Sequence, residues 1–248
     1  MGRRIQVYGV KMKTQILFED KDILVCFKPA GIAVQTASLL RQDMVSELKN
    51  YLQEKEDCKE SSKSDTKHKE PYIGVIHRLD QPVSGVLVFA KNPKAAASLS
   101  EQVQNGGMEK IYRALVAGVF KEGMKERTLE NYLFKDAKTN MSRIVDVKTK
   151  DAKKARLSYK VLEECVTRAG TYSKVEIKLF TGRHHQIRVQ MAGCNHPILG
   201  DTKYGSGEAV ALNQTLENGG LKLCAYRLAF THPASGRRSE FTVPDVSW

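Results

Sequence analysis

Long apolar runs, paired cysteines, internal repeats and acidic residues are all scarce in this chain. No stretch approaches the roughly 18 consecutive apolar residues of a membrane-spanning helix, so no membrane partner is expected. Arg3 and Arg4 stand near the N-terminus, but no apolar core follows them before Gln15, which predicts no secretory signal. The five cysteines (Cys26, Cys58, Cys165, Cys194 and Cys224) are odd in number and widely spaced. That argues against a disulfide framework and for a reducing compartment, here the cytoplasm. Asp and Glu number 28 against 40 Lys and Arg, a net charge of +12. A surplus of this size attracts polyanions, nucleic acid foremost. Half of it lies in residues 121–160, where twelve Lys and Arg face six Asp and Glu to leave +6. The same charges would also serve as a solvated face.

What remains is the composition of a soluble globular protein, 41% hydrophobic and 27% charged over 248 residues. That length buries a sizeable core in one domain or two. Residues 16–31 read as two short strands around the acidic turn at Lys21, the second stopped by Pro29 and Gly31. Asp43 is placed to cap a helix through about Gln53, with Val45, Leu48 and Leu52 on one face. Residues 53–70 follow, eleven of eighteen charged and none a large aliphatic or aromatic. Such a segment buries too little to offset its ordering entropy and predicts a mobile surface loop. Asn92-Pro93 opens a helix that stops at Asn105-Gly106-Gly107. Strands are expected over 109–118, 127–134, 141–147, 155–164 and 171–180. In the last of these Val175, Ile177 and Leu179 face one way, and Tyr172 with every second residue to Phe180 the other. A short helix with Ile187 and Met191 inward follows Gly182.

The most informative stretch is Gly74-Val75-Ile76-His77-Arg78-Leu79-Asp80-Gln81-Pro82-Val83-Ser84-Gly85, followed by the apolar run Val86–Phe89. A single carboxylate, Asp80, stands between a strand end and a tight turn, where fixed backbone presents a reactive group. Turn chemistry alone would also place an Asp there, bonded to the backbone near Pro82.

This stretch resembles the signature of the RluA-type pseudouridine synthases, in which the Asp of His-Arg-Leu-Asp is catalytic. Further segments match in order: the opening, residues 16–31, which ends in Lys28-Pro29-Ala30-Gly31 like the family's Lys-Pro-x-Gly; residues 109–118; the run Thr181-Gly182-Arg183-His184-His185-Gln186-Ile187-Arg188; and His196-Pro197 through Tyr204-Gly205 with the C-terminal strand after it. The likeness covers about residues 16–244. Two departures stand out: Val83 where the family has Thr, expected to alter local hydrogen bonding without touching the carboxylate, and Gln190 where it has His, for which a local packing or hydrogen-bond change is expected. The resemblance implies an α+β fold: a bent, mostly antiparallel sheet flanked by helices, in two halves with a central catalytic cleft. It also implies a single catalytic domain, and no separate RNA-binding domain is expected before Ile16.

The resemblance assigns the catalytic roles to Asp80, Tyr112 and Arg188. Pseudouridine formation breaks a uridine N-glycosidic bond, turns the base and rejoins it through C5, with no redox step, so no cofactor is expected. A carboxylate in a water-poor pocket needs a cation beside it, and the resemblance gives Arg188 as that partner, a guanidinium suited to two-pronged binding. Tyr112 would lie against the uracil, and Arg78 would face the RNA as the uridine flips out. Arg183, Lys148, Lys150, Lys153 and Lys154 are the other expected RNA contacts, and His77 is assigned a structural role. His184, His185, Cys194 and His196 crowd together in sequence, but their spacing fits no standard zinc site, so no metal is expected. The expectation is a monomeric RNA pseudouridine synthase acting on ribosomal or transfer RNA. The alternatives are an RNA-binding module without isomerase activity, which retention of Asp80, Tyr112 and Arg188 together opposes, and a metal-dependent RNA hydrolase, which lacks an acidic ligand cluster.

Overall fold

The computed structural model describes residues 14–37, 41–58, 70–120, 126–216, 219–243 and 248. The chain forms two compact units, Met1–Met108 with Leu228–Val243, and Glu109–Arg227 with Pro244–Trp248. Both are antiparallel sheets with helices, an α+β fold. Among the described residues no helix is long and apolar enough to cross a membrane.

In the first unit β1 (Gln15–Glu19) and β2 (Ile23–Lys28) form the expected hairpin. Asp20 closes it, its Oδ1 accepting from the amides of Asp22 and Ile23, both at 2.8 Å. The apolar run of the signature becomes β4 (Ser84–Ala90), antiparallel to β2 and to the two-residue β3 (Gly74–Val75). Ile23 to Cys26 and Val86 to Ala90 are buried on both faces, which is why these strands read as unbroken apolar runs rather than alternating ones.

Two helices belong to this unit. In α1 (Met44–Asp57) the Asp43 carboxylate accepts from the Ser46 amide at 2.8 Å. The helix passes the expected end at Gln53 by a turn. Glu and Lys hold helix well without burial, and Gln53 Nε2 bonds Asp57 Oδ1 at 3.0 Å one turn on. The first residues of the expected 53–70 loop are therefore helical, while 59–69 lie outside the described residues. In α2 (Pro93–Asn105) Asn92 caps the Ala95 amide at 2.9 Å and Gly106 ends the helix in the left-handed region at φ 80°.

The second unit orders its strands β5 (Glu109–Ala117), β9 (Gly170–Leu179), β8 (Lys153–Thr167), β6 (Arg127–Asp136) and β7 (Met141–Val145), each pair antiparallel. β9 alternates as read from the sequence, with Val175, Ile177 and Leu179 buried. β8 is longer than expected and carries an irregularity between Val161 and Glu163. The expected short helix is α3 (Gln186–Gly193), with Ile187 and Met191 buried. A further helix, α4 (Gly207–Gln214), was not expected. Ser206 caps it, and Ala209 and Leu212 pack on Leu115 and Leu199. Strand β10 (Leu223–Thr231) leads the chain back to the first unit, where β11 (Arg238–Thr242) pairs with it.

Candidate active site

In the first unit the Asp80 turn is fastened to the end of β2. Lys28 is fully buried, and its Nζ donates to the carbonyls of Pro29 at 3.0 Å and Gln81 at 2.9 Å. Gly31 adds two more ties: its amide donates to Gln81 O, and Gln81 Nε2 donates to its carbonyl, both at 2.9 Å. Gly31 sits at φ 94°, a conformation that glycine adopts without a Cβ penalty. The Val83 amide donates to Asp80 O at 3.0 Å and closes the turn over a buried Val83 side chain. The valine that replaces the family's threonine is thus buried. Burial lowers the Lys28 ammonium to about 8, with the charge of Asp80 pulling it back upward. Lys28 holds the Asp80 turn, and the sequence reading did not single it out; the signal available was the Lys28-Pro29-Ala30-Gly31 segment.

Asp80 is half-buried and Arg78 is exposed. His77 Nε2 accepts from the Val88 amide at 3.4 Å, a long bond to the neighbouring strand. The backbone therefore separates the three side chains of the signature: a histidine on the sheet, an arginine in solvent and a carboxylate at a stapled turn.

In the second unit Tyr112 lies on β5 opposite Ile177 of β9, with its ring largely buried. Arg188 projects from α3 and is 4% exposed. Its Nε and Nη2 donate to Asp201 Oδ2 and Oδ1 at 2.7 and 2.6 Å, a two-pronged buried ion pair. Burial would raise the Asp201 carboxyl, but the hydrogen bond and charge of Arg188, with the amides of Lys203 and Tyr204, hold it below its ordinary value. The Tyr204 ring lies 5.2 Å from the Arg188 guanidinium carbon, and its hydroxyl accepts from the Ser142 amide at 2.7 Å and bonds His185 Nδ1 at 2.8 Å. His185 begins α3 in the left-handed region, φ 52°. Arg188 is thus held from the side by Asp201 and Tyr204. The sequence reading singled out neither; the signal available was the matched loop Gly200-Asp201-Thr202-Lys203-Tyr204-Gly205.

Gln190, the other departure from the family pattern, is buried and donates to Asn131 Oδ1 at 2.7 Å, a local hydrogen-bond role between α3 and β6. The histidines and cysteine weighed as metal ligands are otherwise engaged. His184 Nδ1 bonds Ser142 Oγ, His196 Nδ1 bonds Ala117 O and stacks on Phe120, and Cys194 Sγ contacts Met191 O. Among the described residues no three His, Cys, Asp or Glu side chains gather as metal ligands. Lys148, Lys150, Lys153, Lys154 and Arg183 are all exposed; Lys154 pairs with Glu130 at 2.7 Å, and Arg183 Nε donates to Lys154 O at 2.9 Å.

A stapled carboxylate turn after an Arg-Leu pair and a buried, carboxylate-clamped arginine after Thr-Gly-Arg define a class. The chain belongs to the RNA pseudouridylate synthase family, whose model matches residues 22–193. It is 35% identical over 240 residues to the ribosomal large subunit pseudouridine synthase D of Neisseria meningitidis serogroup B, a match covering 94% of this chain and 58% of that one. To the ribosomal large subunit pseudouridine synthase C of Salmonella typhimurium it is 35% identical over 234 residues, covering 92% of this chain and 66% of the relative. The chain therefore spans less than two thirds of the length of both. The solved structure of human RNA Pseudouridylate Synthase Domain Containing 1 shares the fold at a TM-score of 0.69 and 23% identity, over 97% of this chain and 86% of that one.

Proposed function

We propose that this chain isomerises uridines of RNA to pseudouridine, with Asp80 as the catalytic carboxylate and Tyr112 and Arg188 acting with it. The observation that carries the reading is the stapled turn. Three hydrogen bonds, donated by Lys28, Gly31 and Gln81, tie the residue after Asp80 to the end of β2 and the segment that follows it, and positioning of this kind is what catalysis by a fixed carboxylate requires. Family membership supports it.

The chemistry balances without a co-reactant. The N1–C1′ bond breaks, C5 bonds C1′, the C5 proton leaves to solvent and N1 takes one up. Asp80 serves at the glycosidic bond, Tyr112 lies along the base, and Arg188 supplies the fixed positive charge. Arg78, Arg183, Lys148, Lys150, Lys153 and Lys154 bind the RNA. The names of two relatives favour ribosomal RNA as the substrate. The five free cysteines fit the cytoplasm as the place of work, and the enzyme acts as a monomer without a cofactor.

The test is release of tritium from C5-labelled uridine RNA, with and without a chelator. The parent should release label in both conditions. Asp80→Asn, which keeps size and removes charge, should lose at least a thousandfold in turnover, in line with removal of a covalent or acid–base group, and should keep the RNA affinity of the parent. Turnover of the variant within tenfold of the parent would remove Asp80 from its role.

A further inference from the structure

One exposed aromatic ring stands among cations beside the Arg188 segment, and the isomerisation makes no use of it. Phe180 follows β9 directly and is 43% exposed. The Arg156 guanidinium carbon lies 4.8 Å from its ring centre and Lys178 Nζ lies 5.9 Å from it. A lone exposed apolar residue is ordinary on a protein surface. This one is held rigidly and carries positive charge over its ring. The amides of Phe180 and Thr181 donate to Arg156 O at 3.1 and 3.3 Å, the Arg156 amide donates to Thr181 Oγ1 at 2.8 Å, and Gln186 Nε2 donates to Arg156 O at 3.2 Å. The turn is thus knotted to β8. Arg156 and Lys178 beside the ring are both exposed.

We infer that Phe180, with Arg156 and Lys178, is a stacking platform for one unpaired base of the bound RNA, other than the uridine that is isomerised. An aromatic face accepts any base, the guanidinium of Arg156 can stack on a base plane and draw a neighbouring phosphate, and Lys178, which shares its charge with Glu109 at 2.7 Å, adds less to that attraction. A protein partner would need a larger apolar patch than a single ring bordered by charge. The turn joins β9 to the segment that leads into α3, so a base held there is held by the same rigid piece of backbone that presents Arg188. The inference rests on the RNA reading above.

The experiment compares the affinity of parent, Phe180→Ala and Phe180→Trp for two labelled probes: an oligouridylate, and an abasic ribose-phosphate oligomer of the same length. Phe180→Ala should bind the oligouridylate about 5- to 100-fold more weakly, the effect of losing one base stack, and should bind the abasic oligomer as the parent does. Phe180→Trp should bind both as the parent does or more tightly. The salt dependence should be the same in all three, since no charge changes. Equal binding of the oligouridylate by parent and Phe180→Ala overturns the platform and leaves the RNA reading standing, as does an equal loss on both probes. A parent that binds neither probe overturns both.

Discussion

Lys28 occupies a site where a lysine is costly: fully buried, with its ammonium given two carbonyls and the charge of Asp80. The sequence made Asp80 legible, because its neighbours form a recognisable run. It could not make Lys28 legible, because what singles that lysine out is burial, a property of the fold rather than of the local pattern. The linkage has a definite sign. Burial lowers the folded-state value to about 8 from an ordinary 10.5, so between these limits the unfolded chain holds more protons than the folded one. Stability on this residue's account therefore rises with pH from about 8 to 10.5, by about 3 kcal/mol in all. Below pH 8 the ammonium is charged in both states, and its burial weighs against folding in full. Lys28→Met should abolish that component. Measured by chemical denaturation across this range, the stability of the parent should climb relative to the variant as pH rises. A difference that stays flat would show that the ammonium is better solvated than its surroundings imply.

At the scale of elements, caps and stops were legible where the chemistry is local. Asp43 and Asn92 start their helices through side-chain caps, and Gly106, which has no Cβ, ends α2 in the left-handed region. The end of α1 was misplaced because charged residues carry a helix onward without an apolar face, and α4 was missed because its eight residues show almost no amphipathic pattern around the Ser206 cap. The loop before α4 shows how an element can be set by sterics invisible in the pattern. It must carry Asp201 to Arg188, and its glycines permit the path. A Cβ on Gly200 would stand 1.9 Å from Gly220 O, and one on Gly205 would stand 2.3 Å from Asp201 O, both backbone atoms. Gly200 also sits at φ 74°. Neither contact can be relieved by turning a side chain, so Gly200→Ala must move backbone. It should cost at least about 2 kcal/mol, lowering the melting temperature by roughly 4–8 °C or more. The loss of turnover should exceed what the lower stability explains, because the displaced loop carries the carboxylate that clamps Arg188. A variant with the parent's melting temperature would mean that the loop yields more easily than its contacts suggest.

At the scale of the whole molecule, composition gives the size of the positive surplus but not its distribution among partners. Several cations are already engaged within their own unit: Lys154 with Glu130, Lys178 with Glu109 and Lys49 with Glu70. Exposed pairs of this kind add little stability, yet each places an acid beside a lysine that would otherwise meet a phosphate undiluted. Lys148, Lys150 and Lys153 are exposed on and just before β8. If they contact RNA, each phosphate neutralised releases counterions and contributes about 0.7 to 0.9 to the slope of log affinity against log salt. Changing these three to Glu should flatten the slope by about 2 to 3, whereas Lys154→Glu alone should change it by less than one contact's worth because Glu130 already lies against that lysine. The isomerisation rate at saturating RNA should stay near that of the parent, since none of the three is assigned to the chemistry. Affinity titrations at several salt concentrations measure the slope, and tritium release at saturation measures the rate. An unchanged slope in the triple variant would mean that the surplus in residues 121–160 is a solvated face and that the RNA path runs elsewhere on the molecule.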